Sequence, residues 1–327
     1  MELVAKRTLH LLTGRSHEEL AAEIGEHLGV ELGEANLVDF ADTELRCRFG
    51  QSLRGADVFI VQPHVAHEGR SVNDSIMEQL IMIDAAKRAS AKRITAVCPL
   101  FGYARQDRKA EGREPITAKL VTDLLSAAGV DRIVSVDLHS GQIQGFFDGP
   151  VDHLTALPLL VEHVRSSLTG RVVVVAPDAG RVKVADRFAT HLGADLAIVH
   201  KRRPKGTTGV VEARGVIGEV EGRACVLVDD MIATGSTIMA AAEQLKENGA
   251  TDVWVAATHG LFSGPAIDRL KNSTIDRVIV TNTVPLPPEK AIDKIEVVSI
   301  APVIAKAIDA VFEDTSVSDI FDGENQS

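Results

Sequence analysis

The sequence predicts an α/β protein of two lobes, each a mainly parallel sheet flanked by helices. Short β-branched runs alternate with longer helix-like stretches, as in chains of βαβ units. The chain's 327 residues exceed an ordinary domain of about 100–200. An order of strand, polar loop, helix, basic turn and strand over Gly55–Cys98 recurs over Gly222–Ala257, the first copy with the longer loop. Strands are expected at Val58–Gln62, Ile94–Cys98, Ile133–Val136, Val172–Ala176, Ala197–His200, Ala224–Val228, Val253–Ala257, Val278–Thr281 and Ile295–Ser299. Helices are expected at Ser75–Ala89, Ile116–Ala128, Arg181–Leu192, Ile238–Asn248 and Pro265–Leu270. Gly129 and Gly249 sit where helices should stop. The lobes are expected to span residues 1–152 and 153–301, divided after the Gly149-Pro150 turn, with a polar tail at Asp322–Ser327.

Composition excludes several classes. Hydrophobic residues are 45% and charged residues 25%, which is globular rather than disordered. Thirty-five basic against 46 acidic residues leave −11, the wrong field for binding polynucleotides or an anionic membrane surface, and aromatic rings are scarce. No apolar run approaches the ~18–20 residues that cross a bilayer, and charge interrupts the first residues where a signal peptide would be apolar. Cys47, Cys98 and Cys225 are odd in number and far apart, and no CxxC occurs. They are expected as buried thiols of a cytoplasmic protein, not as a zinc site or disulfide framework.

Phosphate chemistry is the strongest local signal. No GxGxxG and no Walker A loop occur, and there is no HExxH; His64 and His67 form an HxxH expected on an exposed loop. From Cys225 to Leu245, CVLVDDMIATGSTIMAAAEQL reads as a buried strand ending in Asp229-Asp230, a tight Thr234-Gly235-Ser236-Thr237 turn, and a helix. Backbone N–H groups and hydroxyls at such a helix start can wrap a phosphate, and paired acids can hold ribose hydroxyls or a hydrated Mg²⁺. A plain helix cap explains one hydroxyl and leaves the acids unexplained.

This segment resembles the PRPP loop of the type I phosphoribosyltransferase fold. Longer stretches are more specific: FGYARQDRKAEGREPITAKLVTDLL (Phe101–Leu125), SVDLHSGQIQGFFDGPVDH (Ser135–His153), VVVVAPDAGRVKVADRFA (Val172–Ala189), KRRP (Lys201–Pro204), THGLFSGPA (Thr258–Ala266) and VTNT (Val280–Thr283) resemble the ribose-phosphate pyrophosphokinase, or PRPP synthetase, family from Phe40 to Phe321. The resemblance implies two tandem type I phosphoribosyltransferase-like lobes, with residues 302–327 packing back on the first. It also implies transfer of the diphosphoryl group of Mg-ATP to the C1 hydroxyl of ribose 5-phosphate, leaving AMP.

By that resemblance, Arg105 and Gln106 bind ATP, joined by Phe40, Asp42, Thr43 and Glu44, an F-x-D-x-E element that reaches a neighbouring subunit's nucleotide. The family usually carries glycine where this chain has Thr43. His139 and Asp178 are implied Mg²⁺ ligands, with Asp137 a candidate to orient His139. Lys201 and Arg203 are implied catalytic residues on a closing flap, Arg203 shared with ribose 5-phosphate. Asp229, Asp230, Ala233, Thr234, Gly235, Ser236 and Thr237 are implied to bind ribose 5-phosphate, with Ala233 replacing the usual aspartate. The loop between Gln62 and Asn73 is longer than usual, adding Glu68 and Arg70. Members of the phosphate-dependent class I form hexamers regulated by phosphate and ADP, and Ser52, Arg54, Gln142, Asp148, Ser316, Val317 and Ser318 resemble that regulatory region. The alternatives are a regulatory synthetase-associated protein, marked by damaged catalytic positions, and a phosphoribosyltransferase, which lacks the ARQDR (104–108), DLHSGQIQGFF (137–147) and KRR (201–203) segments.

Overall fold

A computed structural model describes residues 7–168, 170–202 and 212–321, with 201–202 and 212–214 described in backbone only. The chain forms two compact units, one of Met1–Thr155, Thr283–Pro285 and Ile300–Ser327, the other of Ala156–Asn282 and Leu286–Ser299.

The first unit begins with β1 (Leu9–Thr13) and α1 (Glu18–Leu28), which ends on Gly29 in the left-handed conformation. An antiparallel hairpin of β2 (Ala35–Asp39) and β3 (Leu45–Phe49) follows, then β4 (Asp57–Val61), α2 (Val72–Arg88), β5 (Arg93–Cys98), α3 (Thr117–Ala128), β6 (Arg132–Val136) and β7 (Val151–Leu154). The sheet order is β1-β4-β5-β6-β7, parallel throughout. β4 is buried along its whole length, as a strand covered on both faces must be. Val58, Ile60, Ile94, Ala96 and Ile133 pack with Ile76, Met82, Ile83, Val121 and Leu125 of α2 and α3.

The second unit contains α4 (Leu157–Ser167), β8 (Val172–Ala176), α5 (Val182–Leu192), β9 (Asp195–Arg202), β10 (Glu212–Ile217), β11 (Ala224–Ile232), α6 (Ser236–Glu247), β12 (Asp252–Gly260), α7 (Ala266–Lys271), β13 (Arg277–Thr281) and β14 (Ile295–Val298). Its sheet runs β10-β9-β8-β11-β12-β13-β14, with only β10 antiparallel. The last helix, α8 (Ala301–Phe312), belongs to the first unit and packs on α1. The two units repeat one order, β1-α1-β4-α2-β5-α3-β6-β7 matching β8-α5-β11-α6-β12-α7-β13-β14, with β2–β3 standing in sequence where β9–β10 stand.

Most strands lie within a few residues of expectation. Two corrections matter. β11 runs on to Ile232, so Asp229 and Asp230 lie inside the strand rather than after it. His64 is not on an exposed loop; it is 1% exposed. The elements absent from the sequence reading include β1, α1, β7, β10 and α4; β7 has only four residues, and α4 starts on a Leu-Pro pair that reads as a turn.

A four-membered ion cluster closes the first unit. Asp57, 3% exposed at the head of β4, accepts from Arg7 Nη2 at 2.8 Å and from Arg93 Nη2 at 2.6 Å, while Arg93 Nε donates to its other oxygen at 2.8 Å. Both guanidiniums also reach Asp314, just past α8, at 2.6 Å, and Arg7 lies over the Phe312 ring. The C-terminal helix is therefore tied to the heads of β4 and β5. Asp57→Asn should cost about 3 kcal/mol, the lower end for breaking a buried pair because both arginines keep water contact. Asp314→Asn, at an exposed position, should cost much less. Urea unfolding checks the contrast, and equal midpoints for the two variants would refute it.

Candidate active site

In the second unit β8 and β11 lie side by side and parallel, but β8 leads outward to β9 and β11 to β12 on the other side. Loops leaving this seam diverge, and the crevice above such a switch point is where α/β sheets take ligands. Asp178 is the second residue beyond β8; its Oδ1 accepts the Gly180 N–H at 2.9 Å. Beyond β11, Ala233-Thr234-Gly235 leads into α6, with Gly235 at φ 73° capping the helix in a conformation that glycine adopts without cost. The Thr234 and Ser236 hydroxyls lie 3.2 Å apart on exposed residues. The N–H groups opening α6 have no partner within the helix, so the loop presents donors. The segment after β12 braces it from behind: Leu261 and Phe262 donate to Ile232 O, and Ser263 donates to Ala233 O at 2.9 Å.

A residue outside the sequence reading organises the acids. Arg181 Nε donates to Asp229 Oδ1 at 2.9 Å and Nη2 to Asp230 Oδ1 at 2.7 Å. Consecutive strand residues point to opposite faces, so a planar fork reaches both only from the strand's edge. That edge is open because β8 pairs β11 only as far as Leu227, opposite Val175. Burial and the Asp230 charge push the Asp229 carboxyl up to about 8, against the pull of Arg181. The signal was present in the PDAGR segment, but a lone arginine after a turn reads as solvated.

In the first unit the ATP candidates lie on loops beyond β5 and β6. Gln106 Oε1 accepts the Thr117 hydroxyl at 2.6 Å, and its backbone carbonyl accepts the Ala118 N–H; Arg105 is exposed. Beneath this loop Gly102 N–H donates to His64 Nδ1 at 2.9 Å, so the ring proton sits on Nε2, 2.8 Å from Gln79 Oε1. Burial drives His64 down to about 4, keeping it neutral. A Cβ at position 102 would lie 2.8 Å from that of His64, so glycine is needed for the approach. His139 follows β6, and the Asp137 carboxylate accepts the Thr155 hydroxyl at 2.7 Å.

Phe40–Glu44 forms the tip of the β2–β3 hairpin. Thr43 holds φ 73°, a left-handed backbone that explains the glycine expected there. Phe40 is 49% exposed and Glu44 N–H donates to Asp42. The lengthened loop folds as a turn with Glu68 and Gly69 both at positive φ, and its Arg70 pairs with Asp39, the β2 residue next to the hairpin tip. Ser52, Arg54, Gln142, Asp148, Ser316 and Ser318 are exposed, and Val317 half-buried, all on segments of the first unit. Lys201, next to last in β9, is described in backbone only; its side chain, Arg203 and the expected flap lie outside the described residues, as does the Asp322–Ser327 tail.

Two parallel α/β units, one with an acid pair and a hydroxyl-rich helix start over its switch point, define a protein that handles phosphorylated sugars or nucleotides. Comparison with known proteins is specific. Residues 9–129 match the N-terminal domain of ribose phosphate pyrophosphokinase, and residues 204–322 match the phosphoribosyl synthetase-associated domain. The chain is 54% identical to a ribose-phosphate pyrophosphokinase of Streptomyces coelicolor, covering 98% of both chains, and 50% identical to one of Mycobacterium leprae, covering 98% of this chain and 97% of that one. A crystal structure of phosphoribosylpyrophosphate synthetase from Mycobacterium smegmatis superposes with a TM-score of 0.86 at 50% identity, over 94% of this chain and all of that one. The chain belongs to the ribose-phosphate pyrophosphokinase family and is an enzyme, a transferase of diphosphate groups.

The raised Asp229 carboxyl makes a pH prediction. The native state keeps its proton up to about 8, whereas the ordinary value is 3.8, so between these limits the native state binds more protons than the unfolded chain. Stability contributed by this group is present at the acid end and lost as pH rises through about 8. Asp229→Asn carries no such proton, so its melting temperature relative to wild type should climb between about pH 5 and pH 8.5. A difference that does not change with pH would count against the assignment.

Proposed function

We propose that the chain makes 5-phosphoribosyl 1-diphosphate from Mg-ATP and ribose 5-phosphate. The C1 hydroxyl oxygen attacks the β-phosphorus, the bond between the β-phosphorus and the α,β-bridging oxygen breaks, the hydroxyl proton is lost, and AMP leaves. The observation that carries this reading is the convergence of Asp229, Asp230, Thr234, Ser236 and the α6 N-terminus at one strand end. The acids suit sugar hydroxyls, and the loop suits the 5-phosphate. Ala233 brings no acid, so the sugar hydroxyls fall to Asp229 and Asp230.

Arg105 and Gln106 read the nucleotide, with Phe40, Asp42, Thr43 and Glu44 reaching that of a neighbouring subunit. Lys201 and Arg203 neutralise charge on the migrating group, a reaction served by positioning and positive charge rather than by a covalent nucleophile. Asp178 and His139 would hold Mg²⁺, which when bound draws charge from the phosphate oxygens. Among the described residues no cluster of three or more His, Cys, Asp or Glu makes a metal cage. We read the enzyme as a cytoplasmic hexamer activated by phosphate and inhibited by ADP through Ser52, Arg54, Gln142, Asp148 and Ser316–Ser318.

Incubation with Mg-ATP and ribose 5-phosphate should yield equal AMP and 5-phosphoribosyl 1-diphosphate. Folded protein that forms neither would favour a regulatory subunit; consumption of the diphosphate product with a base would favour a phosphoribosyltransferase. Lys201→Ala should lower kcat by at least about 100-fold with an unchanged melting curve. Near-normal turnover would remove Lys201 from the mechanism. Activity should rise on phosphate titration, and full activity without phosphate would sink the regulatory reading.

A further inference from the structure

We infer that Arg269 is a positioning residue of the Ala233–Thr237 loop, one that sets the direction in which its hydroxyls donate; this rests on the reading of that loop as the ribose 5-phosphate site. Arg269 stands on α7, in the segment that returns from β12 and braces the loop by backbone bonds. Its Nη1 donates to the Thr234 carbonyl at 3.0 Å and to Ser236 Oγ at 2.5 Å. One guanidinium nitrogen thus grips the residues on either side of Gly235.

A guanidinium donates and never accepts. The Ser236 oxygen is therefore used as an acceptor, and its hydrogen must be given elsewhere. Two recipients fit: Thr234 Oγ1 at 3.2 Å, or an oxygen of an anion seated on the loop. In the first case the Thr234 hydroxyl must in turn give its hydrogen onward, and in the second Ser236 gives its own, so the loop offers a hydroxyl donor either way, the polarity a phosphate requires. Without Arg269 each hydroxyl could turn and accept from its neighbour or from water.

Charge points the same way. A cation beside a helix N-terminus opposes the helix dipole, and that placement becomes favourable when an anion joins it. Among the described residues no carboxylate pairs with Arg269, whereas Arg181 in the same unit holds two. The positive end of α6, the Arg269 charge and two polarised hydroxyls therefore converge where a dianionic 5-phosphate would sit.

The test compares wild type, Arg269→Ala, Arg269→Lys, Ser236→Ala and the Arg269→Ala/Ser236→Ala double variant, by steady-state kinetics and by calorimetric titration with ribose 5-phosphate. Arg269→Ala should raise KM and Kd for ribose 5-phosphate by about 10–100-fold, the scale of a lost charge-assisted hydrogen bond. KM for ATP should stay within about twofold, as no ATP contact is removed. Arg269→Lys should recover only part of the loss, because the charge returns without the rigid fork. Because Arg269 acts through Ser236, the double variant should be little worse than the poorer single one. Unchanged ribose 5-phosphate constants in Arg269→Ala, or fully additive effects, would overturn the assignment. A rise of both KM values with a lowered melting temperature would make Arg269 a mere brace, which also overturns it. Wild type that neither binds nor converts ribose 5-phosphate overturns the loop's reading and this inference together.

Discussion

The site depends on parallel pairing between two strands of unequal length. β8 and β11 run in register from Val172 opposite Ala224 to Val175 opposite Leu227; β11 then continues with only β12 beside it. A parallel neighbour must arrive by a crossover, so no hairpin could have closed that edge. The open edge admits Arg181, and Arg181 makes it possible for two adjacent carboxylates to be largely buried. Without Arg181, burial at 13% and 7% exposure and the repulsion between the acids would hold the Asp229 proton more tightly still. Strand length, open edge, arginine and acid pair are one arrangement.

The first unit shows what the same topology becomes without an open loop. Arg15, the second residue beyond β1 as Asp178 is beyond β8, pairs with Glu78 and Asp39. Gln62, at the end of β4, accepts from Ser16 and donates to Glu78. A Cβ on Gly14 would fall 2.4 Å from the Gln62 amide. The β1–β4 seam is filled by its own side chains, a buried and mutually satisfied network. The nucleotide candidates of this unit accordingly lie one and two strands away, beyond β5 and β6, on a loop underpinned by His64.

The parallel strands were legible because short β-branched runs alternate with longer helix-like stretches, and the strand–acid–loop–helix order marked the ligand end. Elements with weaker patterns were not legible. β7 is four residues, three of them half-buried, and α4 opens on a Leu-Pro pair that reads as a turn. The missed residues share one property: Arg181, Arg269 and His64 act across chain separations that spacing does not reveal. Arg181 meets acids 48 and 49 positions later, and Arg269 reaches back to Thr234 and Ser236. Periodicity reports neighbours along an element; only the fold shows which loops leave the same strand edge.

A formal charge of −11 looks hostile to phosphorylated substrates. Over distances beyond a Debye length of about 8 Å salt screens that charge, so what a phosphate meets is set by the few groups nearest it. Counting basic residues along the chain draws the eye to 105–113 and 201–205, yet the structure places two further arginines at the loop end of the second unit. Their roles diverge. Arg181 is neutralised by Asp229 and Asp230 and so adds shape more than field. Among the described residues Arg269 has no such partner, and its charge adds to the donors at the start of α6. The electrostatics of the site thus follow from which arginine has its acids and which does not, a distinction that residue counts cannot make.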